Sequence, residues 1–89
     1  MTQAHVFYSG MVQEVGFRYT VQRMAKTLNL QGWVRNLGDG RVEILIDGKK
    51  EEIEMLLKNI ERHFDSYLTH KQIDYEEPKG EFKDFQIIL

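Results

Sequence analysis

Apolar residues in this chain switch repeatedly between two spacings, and that alternation constrains the fold more than any other feature. Val21, Met24, Ala25 and Leu28 recur at helical spacing, and so do Ile53, Leu56, Leu57, Ile60 and Phe64. Elsewhere the spacing is two: Val42, Ile44 and Ile46 form one such run, and Phe85, Ile87 and Leu89 form another. A period near 3.6 buries one face of a helix, whereas a period of two buries one face of a strand. The stripes predict helices over about Phe17 to Leu28 and about Lys50 to His63. Asn29-Leu30-Gln31-Gly32 reads as the stop of the first helix, with Gly32 as the breaker. The outer side of the second carries Glu51, Glu54, Lys58, Glu61 and Arg62, the pattern of a solvated face.

Strands are expected at Val6-Phe7-Tyr8 ending near Gly10, Trp33 to Leu37, Arg41 to Ile46, Thr69 to Glu76 and Phe85 to Leu89. Gly38-Asp39-Gly40 carries the Asp-Gly hairpin signal between the second and third strands. Pro78-Lys79-Gly80 reads as a turn or loop. The order is strand, helix, strand, strand, helix, strand, with room for an additional edge strand. This is a split βαβ arrangement of the α+β class, with two helices on one face of an antiparallel sheet.

Bulk properties narrow the function classes. The 89 residues are read as a single domain, 1–89. A chain this size buries roughly 60–65% of its unfolded surface. The absence of cysteine excludes disulfides and thiolate metal sites and leans toward an intracellular location. Met1-Thr2-Gln3-Ala4-His5 does not begin a secretory signal pattern. No apolar run approaches the roughly 20 residues that span a bilayer, so no membrane partner is expected. A net charge of −2 argues against a nucleic-acid partner.

The stretch Gly10-Met11-Val12-Gln13-Glu14-Val15-Gly16-Phe17-Arg18 joins a predicted strand to a predicted helix. A loop in that position aims main-chain N–H groups and a helix N-terminus at one spot, which suits a phosphate. Arg18 can add a two-pronged grip on phosphate oxygens. The same residues also suit an ordinary turn with a solvated arginine. The sequence is not a Walker loop, since no Gly-Lys-Ser/Thr follows.

Asn36 ends the second predicted strand. It reads either as a turn residue bonding its own backbone or as an amide that orients a water, since an amide both donates and accepts. His5, His63 and His70 lack metal-ligand spacing. Met11, Met24 and Met55 read as fillers, Trp33 and Tyr75 as packing residues, and Asp39 as a turn former. The module that binds single-stranded RNA shares this element order, but Arg41-Val42-Glu43-Ile44-Leu45-Ile46 lacks its exposed aromatics.

Taken together, two segments resemble the acylphosphatase family. Its first motif is an aliphatic residue, any residue, then G-x-V-Q-G-V-x-F-R. The chain has Tyr8-Ser9-Gly10-Met11-Val12-Gln13-Glu14-Val15-Gly16-Phe17-Arg18. Its second motif is G-aromatic-V-R/K-N-x-x-x-G-x-V followed by a later glycine. The chain has Gly32-Trp33-Val34-Arg35-Asn36-Leu37-Gly38-Asp39-Gly40-Arg41-Val42, with Gly48 in register. The resemblance spans essentially the whole chain. It implies a ferredoxin-like βαββαβ sandwich and a hydrolase that cleaves small-molecule acyl phosphates to a carboxylate and inorganic phosphate; the location is read as cytoplasmic from the lack of cysteine. The resemblance further implies that Arg18 and Asn36 are catalytic. Arg18 would hold the phosphate together with the amides of Val12, Gln13, Glu14, Val15, Gly16 and Phe17, and Asn36 would position the attacking water. No metal or organic cofactor is implied. A monomer is the default. Length and the lack of cysteine favour a stand-alone enzyme over a module of a larger carbamoyl-phosphate-handling enzyme.

Two positions depart from the first motif. Tyr8 replaces an aliphatic residue and still suits a strand. Glu14 replaces the loop glycine. If that position needs φ > 0, a non-glycine residue costs roughly 1–2 kcal/mol. A carboxylate ~5 Å from the phosphate at an effective dielectric of ~20 would add about 3 kcal/mol of repulsion per unit charge. Glu14 is therefore expected to point outward, with lowered anion affinity or a shifted loop. It also supports an alternative, a catalytically weakened anion-binding or regulatory domain, against which the retained Arg18 and Asn36 argue.

Overall fold

The computed structural model describes residues 1–80 and 82–89. The elements are β1 (Thr2–Gly10), α1 (Phe17–Thr27), β2 (Gln31–Asn36), β3 (Val42–Gly48), α2 (Lys50–His63), a short 3-10 turn (Asp65–Tyr67), β4 (Leu68–Glu76) and β5 (Phe85–Ile87). They build the expected ferredoxin-like sandwich, with strand order β4-β1-β3-β2-β5. β1 pairs antiparallel with β3 and with β4, and β2 pairs antiparallel with β3. The edge strand β5 runs parallel to β2, so the sheet is mixed rather than wholly antiparallel. Phe85 of β5 is buried and fills the core beside α1, while the Gln22 amide of α1 donates to the Phe85 carbonyl at 3.0 Å.

Alternation along the strands explains the layers. Ala4, Val6 and Tyr8 of β1 share a face with Val42, Ile44 and Ile46 of β3 and Val34 of β2, and all are fully buried. Val21 and Ala25 of α1, with Ile53, Leu56 and Ile60 of α2, cover that face. Each such valine, leucine or isoleucine side chain contributes about 1.5–3 kcal/mol on burial. The helical stripes therefore meet the strand alternation in one core.

Element boundaries differ from expectation for local reasons. β1 begins at Thr2 rather than Val6, because Thr2 to His5 pair with β3 although Gln3 and His5 are polar. Gln3 is accommodated by a 2.8 Å bond to the buried Asp47. The stop of α1 is Asn29, which takes the left-handed conformation at φ 56°, while Leu30 N–H turns back to the Ala25 carbonyl at 2.9 Å. Gly32 instead lies inside β2. The last strand ends at Ile87, and Leu89 is exposed.

Candidate active site

β1 and β2 are not neighbours; β3 lies between them. Both run antiparallel to β3, so their C-terminal ends reach the same end of the sheet. Tyr8, Val42 and Asn36 form one row across that end. The loop after β1 and the N-terminus of α1 lie at this end too, and α1 packs on β2. The fold thus brings Arg18, the second residue of α1, and Asn36, the last residue of β2, to one end of the molecule.

The loop is fixed from several directions. At Gly10 the chain passes so close to the 3-10 turn that a Cβ would sit 2.1 Å from the Tyr67 carbonyl oxygen. Met11 N–H donates to that same oxygen at 2.9 Å. Val12 is fully buried, and Val15 packs on the core. The Gln13 side-chain amide donates to the carbonyls of Leu37 (2.7 Å) and Arg41 (2.9 Å). With two hydrophobic anchors and polar links on both sides, the loop is held as a scaffold rather than a tether. Between it and Gly40 of the β2–β3 turn lies a groove of about 370 Å³ lined by Gly10 through Val15.

Gly16, at φ 74° and ψ 22°, is the N-cap of α1 and turns the chain into the helix. The left-handed position of this loop is therefore residue 16, where glycine is free of the Cβ penalty. Glu14 is absent from the non-glycine positions with positive φ and is exposed. The conditional backbone penalty at Glu14 thus does not arise.

The N-terminus of α1 is electrostatically open. It has no capping side chain and no acidic residue in its first turn. None of the N–H groups from Val12 to Tyr19 donates to a main-chain carbonyl among the described residues. Those at the start of α1, from the N-cap Gly16 to Tyr19, carry the positive end of the helix dipole. Among the described residues, none of the ion pairs engages Arg18, which is partly exposed. An unpaired guanidinium beside free donors is a charge arrangement suited to an anion.

Asn36 adds a polar atom of a different kind. Its Oδ1 is buried and has no hydrogen-bond partner among the described residues. Buried acceptors are normally satisfied, and an unpaired one costs about 1–3 kcal/mol. The turn beyond it is closed by Leu37 N–H to the Arg41 carbonyl at 2.8 Å. Asp39 accepts from the Arg41 N–H at 3.1 Å and from its Nε at 2.9 Å. Those bonds, the main-chain one first, hold its carboxyl below the usual carboxylate range. Asp39 thus serves the turn, and Asn36 does not.

Of the remaining histidines, His63 and His70 also lie toward this end, His63 through Phe64 on Phe17 and His70 opposite Ser9 of β1. His5 bonds Glu43, His63 packs on Phe64, and among the described residues no group of His, Asp and Glu could hold a metal ion. The Gln13 side chain was not foreseen as a link to the hairpin. Its sequence signal is its match to the glutamine of the first motif, as a long amide between Val12 and Glu14.

The fold and this end of it define a ferredoxin-like α+β domain with a closely tied loop between its first strand and first helix. The acylphosphatase family model matches residues 4–87, and the chain belongs to the acylphosphatase family. It is 39% identical over 80 residues to an acylphosphatase of Haloarcula marismortui, covering 89% of this chain and 88% of that protein. It is 47% identical over 81 residues to a probable carbamoyltransferase HypF of Methanocaldococcus jannaschii, covering 89% of this chain but 10% of that protein. The crystal structure of an acylphosphatase from Bacillus subtilis superposes with a TM-score of 0.92 at 34% identity, covering 100% of both chains.

Proposed function

We propose that this single domain hydrolyses acyl phosphates, with Arg18 and the loop amides holding the phosphate and Asn36 orienting the attacking water. The observation that carries this reading is the pairing of opposite needs at one end of the fold. Free N–H donors and an unpaired Arg18 want an anion, while the buried Asn36 Oδ1 wants a hydrogen donor. A phosphate satisfies the first and a water the second.

The chemistry follows from that arrangement. The water oxygen forms a new bond to phosphorus as the bond from phosphorus to the acyl oxygen breaks. The acyl group leaves as a carboxylate, and the water's protons remain on the phosphate product and solvent. Negative charge on the equatorial oxygens is met by fixed donors that need no reorganisation. The leaving carboxylate has a conjugate acid of pKa about 4, so it departs without a proton donor. No general acid or metal is needed for a leaving group of this kind.

The groove beside the loop is lined by Gly10, Met11, Val12, Val15 and Gly40 with the polar Gln13 and Glu14, a mostly apolar lining that supports tolerance of varied acyl groups. The exposed Glu14 is unstrained, which removes the backbone argument for a weakened anion-binding domain and leaves only a screened charge. The absence of cysteine and the charge of −2 support a cytoplasmic enzyme without a nucleic-acid partner. No described helix is long and apolar enough to cross a membrane. A monomer is the working state for the assays.

The test is turnover of benzoyl phosphate and acetyl phosphate in the presence of a chelator. One carboxylate and one phosphate per cycle are expected, with a phosphate monoester turned over at least 100-fold more slowly because its alkoxide leaves poorly without an acid. Binding of inorganic phosphate without turnover of either acyl phosphate would overturn the reading.

A further inference from the structure

We propose that Gln13 is a positioning residue whose side-chain amide sets the distance between the phosphate-holding loop and the water-holding Asn36. The inference rests on the roles proposed above for Arg18 and Asn36.

The geometry is specific. One nitrogen, Gln13 Nε2, donates at 2.7 Å to the Leu37 carbonyl and at 2.9 Å to the Arg41 carbonyl. An amide nitrogen has two hydrogens, and both are used. Leu37 directly follows Asn36, and the Arg41 carbonyl also receives Leu37 N–H, so Gln13 grips the turn at its closing bond. The loop's other anchors point elsewhere. Met11 is tied to the Tyr67 carbonyl beside β4, and Val12 and Val15 sink into the core. Among the described residues, Gln13 makes the only side-chain hydrogen bonds between the loop and the β2–β3 turn.

Function depends on that link because the reacting partners are held by separate chain segments. Displacement in line requires the water oxygen and phosphorus at about 3–3.5 Å, and misplacement by 1 Å costs on the order of 100-fold in rate. Phosphate affinity depends on the loop and Arg18 alone. Rate depends also on where the loop sits relative to Asn36. Loss of the Gln13 link should therefore lower kcat while leaving phosphate binding nearly intact. A link serving only stability would lower the unfolding midpoint without separating these quantities.

Two variants test this in the full chain. Gln13→Met keeps length and bulk but has no donor. It should lower kcat for benzoyl phosphate by roughly 10- to 100-fold, with KM and the Kd for inorganic phosphate within about twofold of wild type. Gln13→Glu puts a carboxylate against two carbonyl oxygens. On protonation its O–H restores one donor, so its kcat relative to that of Gln13→Met should rise as pH falls below about 5. Wild-type kcat in Gln13→Met, or equal losses in kcat and phosphate affinity, would overturn the proposal, as would parallel pH profiles for the two variants. If Gln13→Glu does not fold, the split between kcat and KM in Gln13→Met decides alone. Asn36→Ala is the control: wild-type kcat there overturns the underlying site reading, whereas an inactive Asn36→Ala beside a fully active Gln13→Met overturns only the positioning role.

Discussion

The Tyr8 hydroxyl, at the inner face of β1, donates a 2.7 Å hydrogen bond to the Glu61 carboxylate on α2. Lys71 of β4 reaches the same carboxylate oxygen at 2.9 Å. Burial first, then the bond and charge of Glu61, push the Tyr8 hydroxyl far above the ordinary phenol range, so it remains a donor. The Tyr8 ring also meets Phe17 edge-on, with centroids 5.8 Å apart. The residue that departs from the family's aliphatic position thus ties sheet, second helix and the start of the first helix together.

Tyr8→Phe keeps the ring and removes only the hydroxyl. Glu61 retains Lys71 and water, so the loss stays below that of a fully buried charged pair. The expected cost is about 1–2 kcal/mol, read as a lower urea midpoint at unchanged m-value. An unchanged midpoint would show that the bond contributes nothing net.

On the helix-free face, Glu43 is 6% exposed and accepts from His5 Nε2 at 2.5 Å and Arg35 Nε at 2.7 Å. Burial raises its pKa, but the hydrogen bonds from His5 and Arg35, with their charges, outweigh burial and hold it below the ordinary carboxylate value of 4.5. A depressed folded pKa adds stability that is complete above the unfolded value and is lost as pH falls through the folded one. Below pH 4.5, wild-type stability should therefore fall more steeply than that of Glu43→Gln. Equal slopes in urea titrations across that range would contradict this.

Gly16 has no atom within 4 Å of the position a Cβ would take, so substitution there meets only the conformational penalty of φ 74°. Gly16→Ala should cost about 1–2 kcal/mol. Gly16→Asn should cost less than half of that, because asparagine tolerates the left-handed region better. Equal unfolding midpoints for the two variants would remove Gly16 as the helix-entry device.

Much of this was readable from the chain. The stripes of Val21 to Leu28 and Ile53 to Phe64 located both helices, and Asp39-Gly40 located the hairpin. What escaped depends on partners distant in sequence. Periodicity cannot say that β3 rather than β2 lies beside β1, nor that β5 joins β2 in parallel. Asn29 ends α1 because its side chain tolerates the left-handed region, a signal masked by the nearby Gly32. The loop and Asn36 stood out as residue types. Their convergence comes from strand pairing, and the Gln13 bonds come from the detailed course of the loop.

Glu14 is exposed at the rim of the groove, so its repulsion of a substrate is screened. At ~8 Å in water one unit-charge pair contributes about 0.5 kcal/mol, roughly twofold in binding. Glu14→Gly and Glu14→Gln should each lower KM about twofold at low salt, with the difference vanishing near 0.5 M salt. Because Glu14 is not in the left-handed region, Glu14→Gly should also lose about 0.5–1 kcal/mol of stability through added chain freedom. A gain in stability would mean that the loop is strained at this position after all.

The central claim is that Arg18 and Asn36 act on one bound phosphate from two sides. The most direct measurement is steady-state hydrolysis of benzoyl phosphate by Arg18→Ala and Asn36→Ala, paired with titration of inorganic phosphate. Arg18→Ala should lose phosphate binding and at least ~100-fold in kcat/KM. Asn36→Ala should keep phosphate binding and lose kcat on a similar scale. Wild-type turnover in either variant would contradict the account.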